Sequence, residues 1–219
     1  MRVTRAALID LDGTLLDTAP ELAAAANAML DELGLAPLPG GTVSSFIGQG
    51  VQVLVLRCLA ACGREPAGTE LEIFSRHYER LSGSAAQAYP GVHEGLAAMR
   101  EGGLALACVT NKPARFTLPL LAAAGLARYF DAVVTADAVG RRKPHPEPFL
   151  HACRLLGVSP GEAVVIGDSA NDAGAAHAAG CRFLLVPYGY REGRDARDIA
   201  SDGIVASLHE AAMRIARRH

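Results

Sequence analysis

Two short stretches of the chain gather carboxylates at a spacing that can do chemistry. Asp10-Leu11-Asp12-Gly13-Thr14 follows the apolar run Ala6–Ile9, and Gly167-Asp168-Ser169 follows the apolar run Ala163–Ile166, with Asp172 four residues past Asp168. In an extended segment, alternation puts Asp10 and Asp12 on one face, about 7 Å apart along the chain. A buried strand that ends in an acid delivers it to the carboxyl edge of an open α/β sheet, where such sheets bind ligands. Each stretch alone has a plain structural explanation: an Asp-Gly turn needs only one acid of the first pair, and Asp168 could cap the next helix. Together they would place three or four carboxylates at one sheet edge, where mutual repulsion calls for a cation. An all-oxygen donor set selects a hard metal, and Mg²⁺ is the natural choice where phosphate is near.

Two further stretches supply the opposite need. Val109-Thr110-Asn111-Lys112-Pro113 offers a hydroxyl, an amide and backbone N–H groups at a helix start, an anion-binding arrangement. Lys143 lies in Arg141-Arg142-Lys143-Pro144-His145-Pro146-Glu147-Pro148, where alternating prolines stiffen the loop. A lysine held that way suits a fixed point charge on phosphate.

The elements that must position these residues are legible as a pattern. Apolar runs at Ala6–Ile9, Leu104–Val109, Ala132–Thr135, Ala163–Ile166 and Phe183–Val186 read as buried strands, and all but the first pair are separated by helix-like segments. That alternation predicts a doubly wound, mainly parallel α/β sheet. Between the first strand and Leu104, about 90 residues carry no second strand signal but three helical stretches, near Ala19–Leu33, Val51–Ala61 and Glu70–Leu81. A crossover rarely needs so much chain. The economical reading is a small helical cap, residues 17–82, inserted into a catalytic core of residues 1–16 and 83–219, with hinges near Asp17 and Gly83–Ser84. Thr18-Ala19-Pro20-Glu21 and Thr69-Glu70-Leu71-Glu72 read as capping boxes at two cap-helix starts.

Composition narrows the function classes. Of 219 residues 50% are hydrophobic and 20% charged, with a formal net charge of −2, too apolar and too little charged for a disordered chain. No basic block drives sequence-independent nucleic-acid binding. No apolar run matches a secretory signal or a membrane span. The partner expected is thus a small molecule, with neither nucleic acid nor membrane; nothing chooses between a monomer and a homodimer. The five cysteines, Cys58, Cys62, Cys108, Cys153 and Cys181, are odd in number and scattered; Cys58 and Cys62 fit a buried helix face better than a metal pair, and free thiols suggest a cytoplasmic setting. Arg191–Asp198, with its mixed charges, reads as solvated surface.

The ordered set DLDGTLLDT at 10–18, TNK at 110–112, KP at 143–144 and GDSANDAGAAHAAG at 167–180 resembles the four motifs of the haloacid dehalogenase-like (HAD) superfamily, over essentially the whole chain. Less specific stretches, Phe46-Ile47-Gly48-Gln49-Gly50, Tyr89-Pro90-Gly91-Val92 and Val186-Pro187-Tyr188-Gly189-Tyr190, are similar to those of bacterial phosphoglycolate phosphatases. The resemblance implies a Rossmann-like core and phosphate monoester hydrolysis. Asp10 would be the nucleophile and Asp12 the general acid and base. A side-chain oxygen of Asp10, the Asp12 carbonyl and Asp168 would hold Mg²⁺, with Asp172 orienting that shell. Thr110, the Asn111 N–H and Lys143 would bind the phosphoryl group, and Gly13 would turn the chain and leave an N–H free for it. Dehalogenases act on carbon and need no acid for a leaving alkoxide, so an Asp at position 12 favours phosphoryl transfer. Gly48, Gln49 and Gly50 either form a specificity loop facing the core or simply punctuate helices. The alternatives are a sugar-phosphate or nucleotide phosphatase, a pyrophosphatase or a phosphomutase. More remote is a non-enzymatic phospho-acceptor module, which would take up one phosphoryl group per chain without turnover.

Overall fold

Five short apolar runs become the five strands of one parallel sheet. In the computed structural model, which describes residues 3–217, the elements follow in the order β1 (Ala6–Ile9), β2 (Leu16–Asp17), α1 (Ala19–Glu32), α2 (Gly40–Ser44), α3 (Val51–Ala61), α4 (Glu70–Leu81), β3 (Gln87–Ala88), α5 (Val92–Glu101), β4 (Ala105–Val109), α6 (Ala114–Ala123), β5 (Ala132–Val134), α7 (Glu147–Leu156), β6 (Ala163–Gly167), α8 (Ala170–Ala179), β7 (Arg182–Leu185) and α9 (Leu208–Ala216). The sheet order is β5-β4-β1-β6-β7. The chain builds outward from β1 to β4 and β5, then returns to β1's other side with β6 and β7. That reversal makes the carboxyl end of β1 a topological switch point, the place where ligands bind in open α/β sheets.

Register fixes what meets there. Ile9 pairs with Cys108 on β4 and with Ile166 on β6, so the residues just beyond all three strands emerge side by side. The sheet is buried on both faces. Ala7, Ile9, Leu106, Cys108, Val164 and Ile166 point into a core closed by α5, α6 and α9. The alternate residues Ala6, Leu8, Ala107, Val109 and Val165 point into a second core closed by α7 and α8. Two-sided burial explains why these strands read as continuous apolar runs.

Helices α1 to α4 share a third core, in which Leu22, Met29, Leu54, Cys58, Phe74 and Tyr78 are buried. Phe116 of α6 joins it, its ring centroid 4.9 Å from that of Tyr78. Two elements carry no clear sequence signal: the single-turn α2, and an antiparallel ribbon pairing Leu16 with Ala88 and Asp17 with Gln87. The ribbon clasps the two crossings between the helical unit and the sheet. Among the described residues no helix is long and apolar enough to cross a membrane.

Neither cap-helix capping box forms. The Thr18 hydroxyl donates to Asp12 Oδ1 at 2.6 Å, and the buried Glu21 carboxylate accepts from the N–H groups of Gly83, Ala85 and Ala86 at 3.1, 2.7 and 2.8 Å. Glu70 turns back to accept from Ala67 N and Gly68 N at 2.7 and 2.8 Å. A buried carboxylate gains more from several unpaired N–H groups of a crossing turn than from one at its own helix start. Glu21 thus ties α1 to the chain that returns to the sheet.

Candidate active site

The edge of the sheet is built from three strand ends. Asp10 follows β1 and its N–H donates to the Ile166 carbonyl at 3.0 Å, which fixes its backbone. Asp168 follows β6, and Asp172 lies in the first turn of α8. One carboxylate oxygen from each of Asp10, Asp168 and Asp172 lies within 4.8 Å of the others, and all three residues are buried. Asp168 does not cap α8. Ser169 does, in a reciprocal capping box: Asp172 N donates to Ser169 Oγ at 3.2 Å and Ser169 N donates to Asp172 Oδ2 at 3.2 Å, with the Ser169 hydroxyl also donating to Asp172 Oδ2 at 2.6 Å. Asp168 is held instead by the Tyr190 N–H at 2.7 Å and the Thr14 hydroxyl at 3.2 Å.

Lys143 enters between two acids. Its ammonium lies 2.7 Å from Asp10 Oδ1, 2.7 Å from Asp172 Oδ1 and 2.9 Å from the Val109 carbonyl. Those acceptors take all three of its donors, so here it stands in the acid cluster rather than free before an anion. Asn111 sets its position, accepting from Lys143 N at 2.9 Å and donating to the Lys143 carbonyl at 3.0 Å. Burial works to discharge this lysine, but the charges of Asp10 and Asp172 outweigh it and hold its pKa above the ordinary value. Asp10 goes the other way. Burial first, then the charge of Asp172, lifts its pKa well above the usual carboxylate range despite Lys143. Asp168 is pushed up to about 7, again by burial and then by Asp172. Three all-oxygen donors carrying more negative charge than one lysine neutralises match a hard divalent cation.

Asp12 stands apart from that trio. Its Oδ1 accepts from Thr18 Oγ1 and lies 2.8 Å from Lys112 Nζ, in an ion pair whose lysine side chain is 2% exposed. Lys112 also sits 5.0 Å from the centre of the Tyr78 ring, on α4. It lies within the TNK motif, whose hydroxyl and amide are what the sequence marks as anion-binding; only the fold shows that the Lys112 ammonium reaches back across the sheet edge. Thr110 is buried, and its Oγ1 accepts the Lys112 N–H at 3.1 Å. Among the described residues, neither the Asp12 nor the Asn111 backbone N–H donates to a protein acceptor. The Gly13 N–H does, to the Leu16 carbonyl at 3.0 Å, which corrects the expectation that it stays free. The glycine is nevertheless required: at φ +83° a Cβ would stand 2.5 Å from Asp168 Oδ2.

The helical unit closes this edge into a cleft. Gly48 and Gly50 line it, as do Leu22, Ile47, Val51 and Leu54. The Gly48 carbonyl accepts from Asn111 Nδ2 at 3.0 Å, and Gly50 at φ +90° begins α3 against the Asn111 carbonyl. The glycines therefore face the core as well as punctuate a helix. Gln49 is not part of the cleft wall, and neither is Arg57, whose Nη1 lies 3.4 Å from the Phe46 carbonyl. Arg191 does line the cleft, which corrects the solvated-surface reading at this one residue, while Arg194, Asp195, Arg197 and Asp198 of the same segment are exposed. The cleft is small, about 30 Å³, room for a few waters at about 10–15 Å³ each.

A parallel sheet that collects buried acids, a lysine and unpaired N–H groups at its switch point, under a helical cover, defines a class: α/β enzymes that work on small anionic substrates. A family model described as haloacid dehalogenase-like hydrolase matches residues 7–186, and the chain belongs to that family. It is 52% identical over 212 residues, 94% of this chain and 93% of the relative, to a phosphoglycolate phosphatase of Nitrosospira multiformis. It is 45% identical over 219 residues, 97% of this chain and 96% of the relative, to a phosphoglycolate phosphatase of Thiobacillus denitrificans. A solved structure described as a predicted phosphoglycolate phosphatase from Haemophilus somnus superposes with a TM-score of 0.90 at 31% identity, covering 97% of this chain and 98% of that one.

Proposed function

We propose that the protein is a Mg²⁺-dependent phosphatase that hydrolyses 2-phosphoglycolate to glycolate and phosphate through a phosphorylated Asp10. The observation that carries the reaction is the division of labour between two aspartates two residues apart. Asp10 sits in the acid cluster with Lys143, while Asp12 is held away from it by Lys112 and Thr18. An Asp10 oxygen attacks phosphorus, and the bond to the leaving alkoxide breaks as Asp12 gives that oxygen a proton. Asp12, now a carboxylate, takes a proton from the water that attacks the acyl phosphate, which restores Asp10 and releases phosphate. Thr110 and the N–H groups of Asp12 and Asn111 surround the phosphoryl oxygens, and Lys143 adds positive charge beside Asp10 as charge develops.

Asp10, the Asp12 carbonyl and Asp168 would hold Mg²⁺, which when bound neutralises the acid cluster and polarises the phosphoryl group. Both Asp172 oxygens are already occupied, by Lys143 and Ser169, which suits a residue that orients the cluster rather than one that binds the ion. Residues 17–82 act as a cap on the core formed by residues 1–16 and 83–219. A cleft this small admits substrate only if cap and sheet part, about the ribbon of β2 and β3, and it excludes water when they close.

The choice of substrate rests on the relatives' names together with the tight, largely apolar cover. A phosphomutase is disfavoured because the cap wall of the cleft presents no basic group, Arg57 being outside it. A cytoplasmic location accords with five free cysteines. The test is phosphate release, with Mg²⁺ present, from 2-phosphoglycolate against sugar phosphates, nucleotides and pyrophosphate. 2-Phosphoglycolate should exceed the rest by an order of magnitude or more in kcat/KM; equal rates would sink the substrate assignment, and a single phosphoryl uptake without turnover would sink the enzyme.

A further inference from the structure

Three cationic side chains line the cleft: Lys112, Lys143 and Arg191. Two are committed, Lys112 to Asp12 and Lys143 to Asp10 and Asp172. Arg191 is not. Among the described residues it forms no salt bridge; the acid whose charge it feels, Asp195, is ion-paired to Arg197 at 3.0 Å. Its Nη1 donates to the Pro187 carbonyl, while its Nε is buried with no hydrogen-bond partner. A buried N–H donor left unpaired is costly and rare in native proteins. The backbone at Arg191 stands at φ +50°, the one non-glycine residue at positive φ among those described. Such a conformation persists only where the surroundings impose it, and it recurs at ligand-binding positions. Its neighbour is pinned: the Tyr190 N–H is bound to Asp168 Oδ2 at 2.7 Å, so Arg191 follows directly from the acid cluster.

We propose that Arg191 is the specificity-determining residue that receives the substrate's second anionic group, a carboxylate, on its vacant Nε edge while the sheet edge holds the phosphoryl group. The inference rests on the reading of the substrate as 2-phosphoglycolate and adds to it the residue that selects it. In that substrate the carboxylate carbon is separated from the ester oxygen by a single methylene. Both charges must therefore be met inside one small cleft, and the cap wall offers glycines and aliphatic side chains but no cation. A guanidinium with one nitrogen already anchored presents its remaining edge in a fixed plane, the geometry that a carboxylate takes up with two parallel hydrogen bonds.

The experiment compares kcat/KM on 2-phosphoglycolate with that on 2-hydroxyethyl phosphate, of nearly the same size but with a hydroxymethyl group replacing the carboxylate. The wild-type protein should favour the carboxylate. In Arg191→Met the ratio of the two kcat/KM values should fall about 100-fold, mostly through KM for 2-phosphoglycolate. In Arg191→Lys, which keeps the charge but not the planar fork, it should fall about tenfold. If Arg191→Met does not fold, the lysine variant decides. A ratio unchanged in the variants, or an equal loss on both substrates, overturns the role of Arg191 while leaving the phosphatase reading intact. A wild-type protein without any preference for the carboxylate overturns the substrate reading and this inference together.

Discussion

The two walls of the cleft are made of different matter. The sheet wall is charged and buried: Asp10, Asp168 and Lys143 are 8%, 2% and 4% exposed; the first two follow directly on paired parallel strands, and the Lys143 backbone is held by the Asn111 side chain. The cap wall is Leu22, Ile47, Val51 and Leu54 with two glycines, presented by helices tied to the core through a ribbon, Glu21, the Gly48–Asn111 bond and the Thr18–Asp12 bond. Charges brought this close need a rigid scaffold, because a shift of about 1 Å changes both their interaction energy and their aim. Apolar walls tolerate movement, so they suit the part proposed to open. The contrast assigns chemistry and charge recognition to the sheet, and access and the exclusion of bulkier esters to what covers it.

The largest effect should come from the sheet wall. Asp10→Asn keeps shape but loses the nucleophile, and turnover should fall by at least about 10⁴-fold. Since it also removes one of the mutually repelling carboxylates, the metal-free variant should melt no lower than the wild type; an active variant breaks the assignment. Lys112→Met comes next. Freed of its partner, Asp12 loses its fixed orientation, and kcat should drop about 100-fold with KM little changed, as steady-state kinetics would show. A loss confined to KM would instead make Lys112 a substrate ligand. On the cap wall, Val51→Ala should alter kcat/KM by less than about tenfold and narrow the gap between small and bulkier phosphate esters. A kcat loss matching that of Lys112→Met would erase the distinction between the walls.

The same contrast governs what the sequence makes legible. The sheet wall is local: an acid or hydroxyl immediately after an apolar run is placed by register alone, so Asp10, Thr110 and Asp168 can be read from strand ends. Lys112 was visible as a residue but not as a partner, because its pairing with Asp12 spans a hundred positions and depends on β1 and β4 being neighbours. The failed capping boxes have the same cause. Thr18 and Glu21 fit the local pattern, but the fold offers each a better partner, Asp12 for one and the N–H groups of the turn before β3 for the other. Composition hides Arg191, its segment being rich in charges of which Arg194, Asp195, Arg197 and Asp198 do face solvent. Its signal, positive φ beside a residue bound to Asp168, exists only in three dimensions.

The smallest effect expected is one of stability, and its sign separates the walls without any substrate. Asp168 has a folded-state pKa raised to about 7 by burial and then by Asp172, whereas in the unfolded chain an aspartate titrates near about 3.9. A raised carboxylate pKa means that the folded state binds the proton more tightly, so its contribution to stability is complete below the unfolded value and is lost as pH rises toward the folded one. Asp10 is shifted in the same direction. The metal-free protein should therefore melt a few degrees lower at pH 8 than at pH 5.5. Mg²⁺ should raise the melting temperature more at pH 8, where the carboxylates are ionised and bind the cation, than at pH 5.5, where protons compete for the same oxygens. The cap wall contributes no titrating side chain to this balance, so cap substitutions such as Val51→Ala should shift both melting curves equally. Calorimetry across that pH range decides it: a flat metal-free profile, or a Mg²⁺ effect independent of pH, would mean that the acid cluster carries no excess charge for a cation to neutralise.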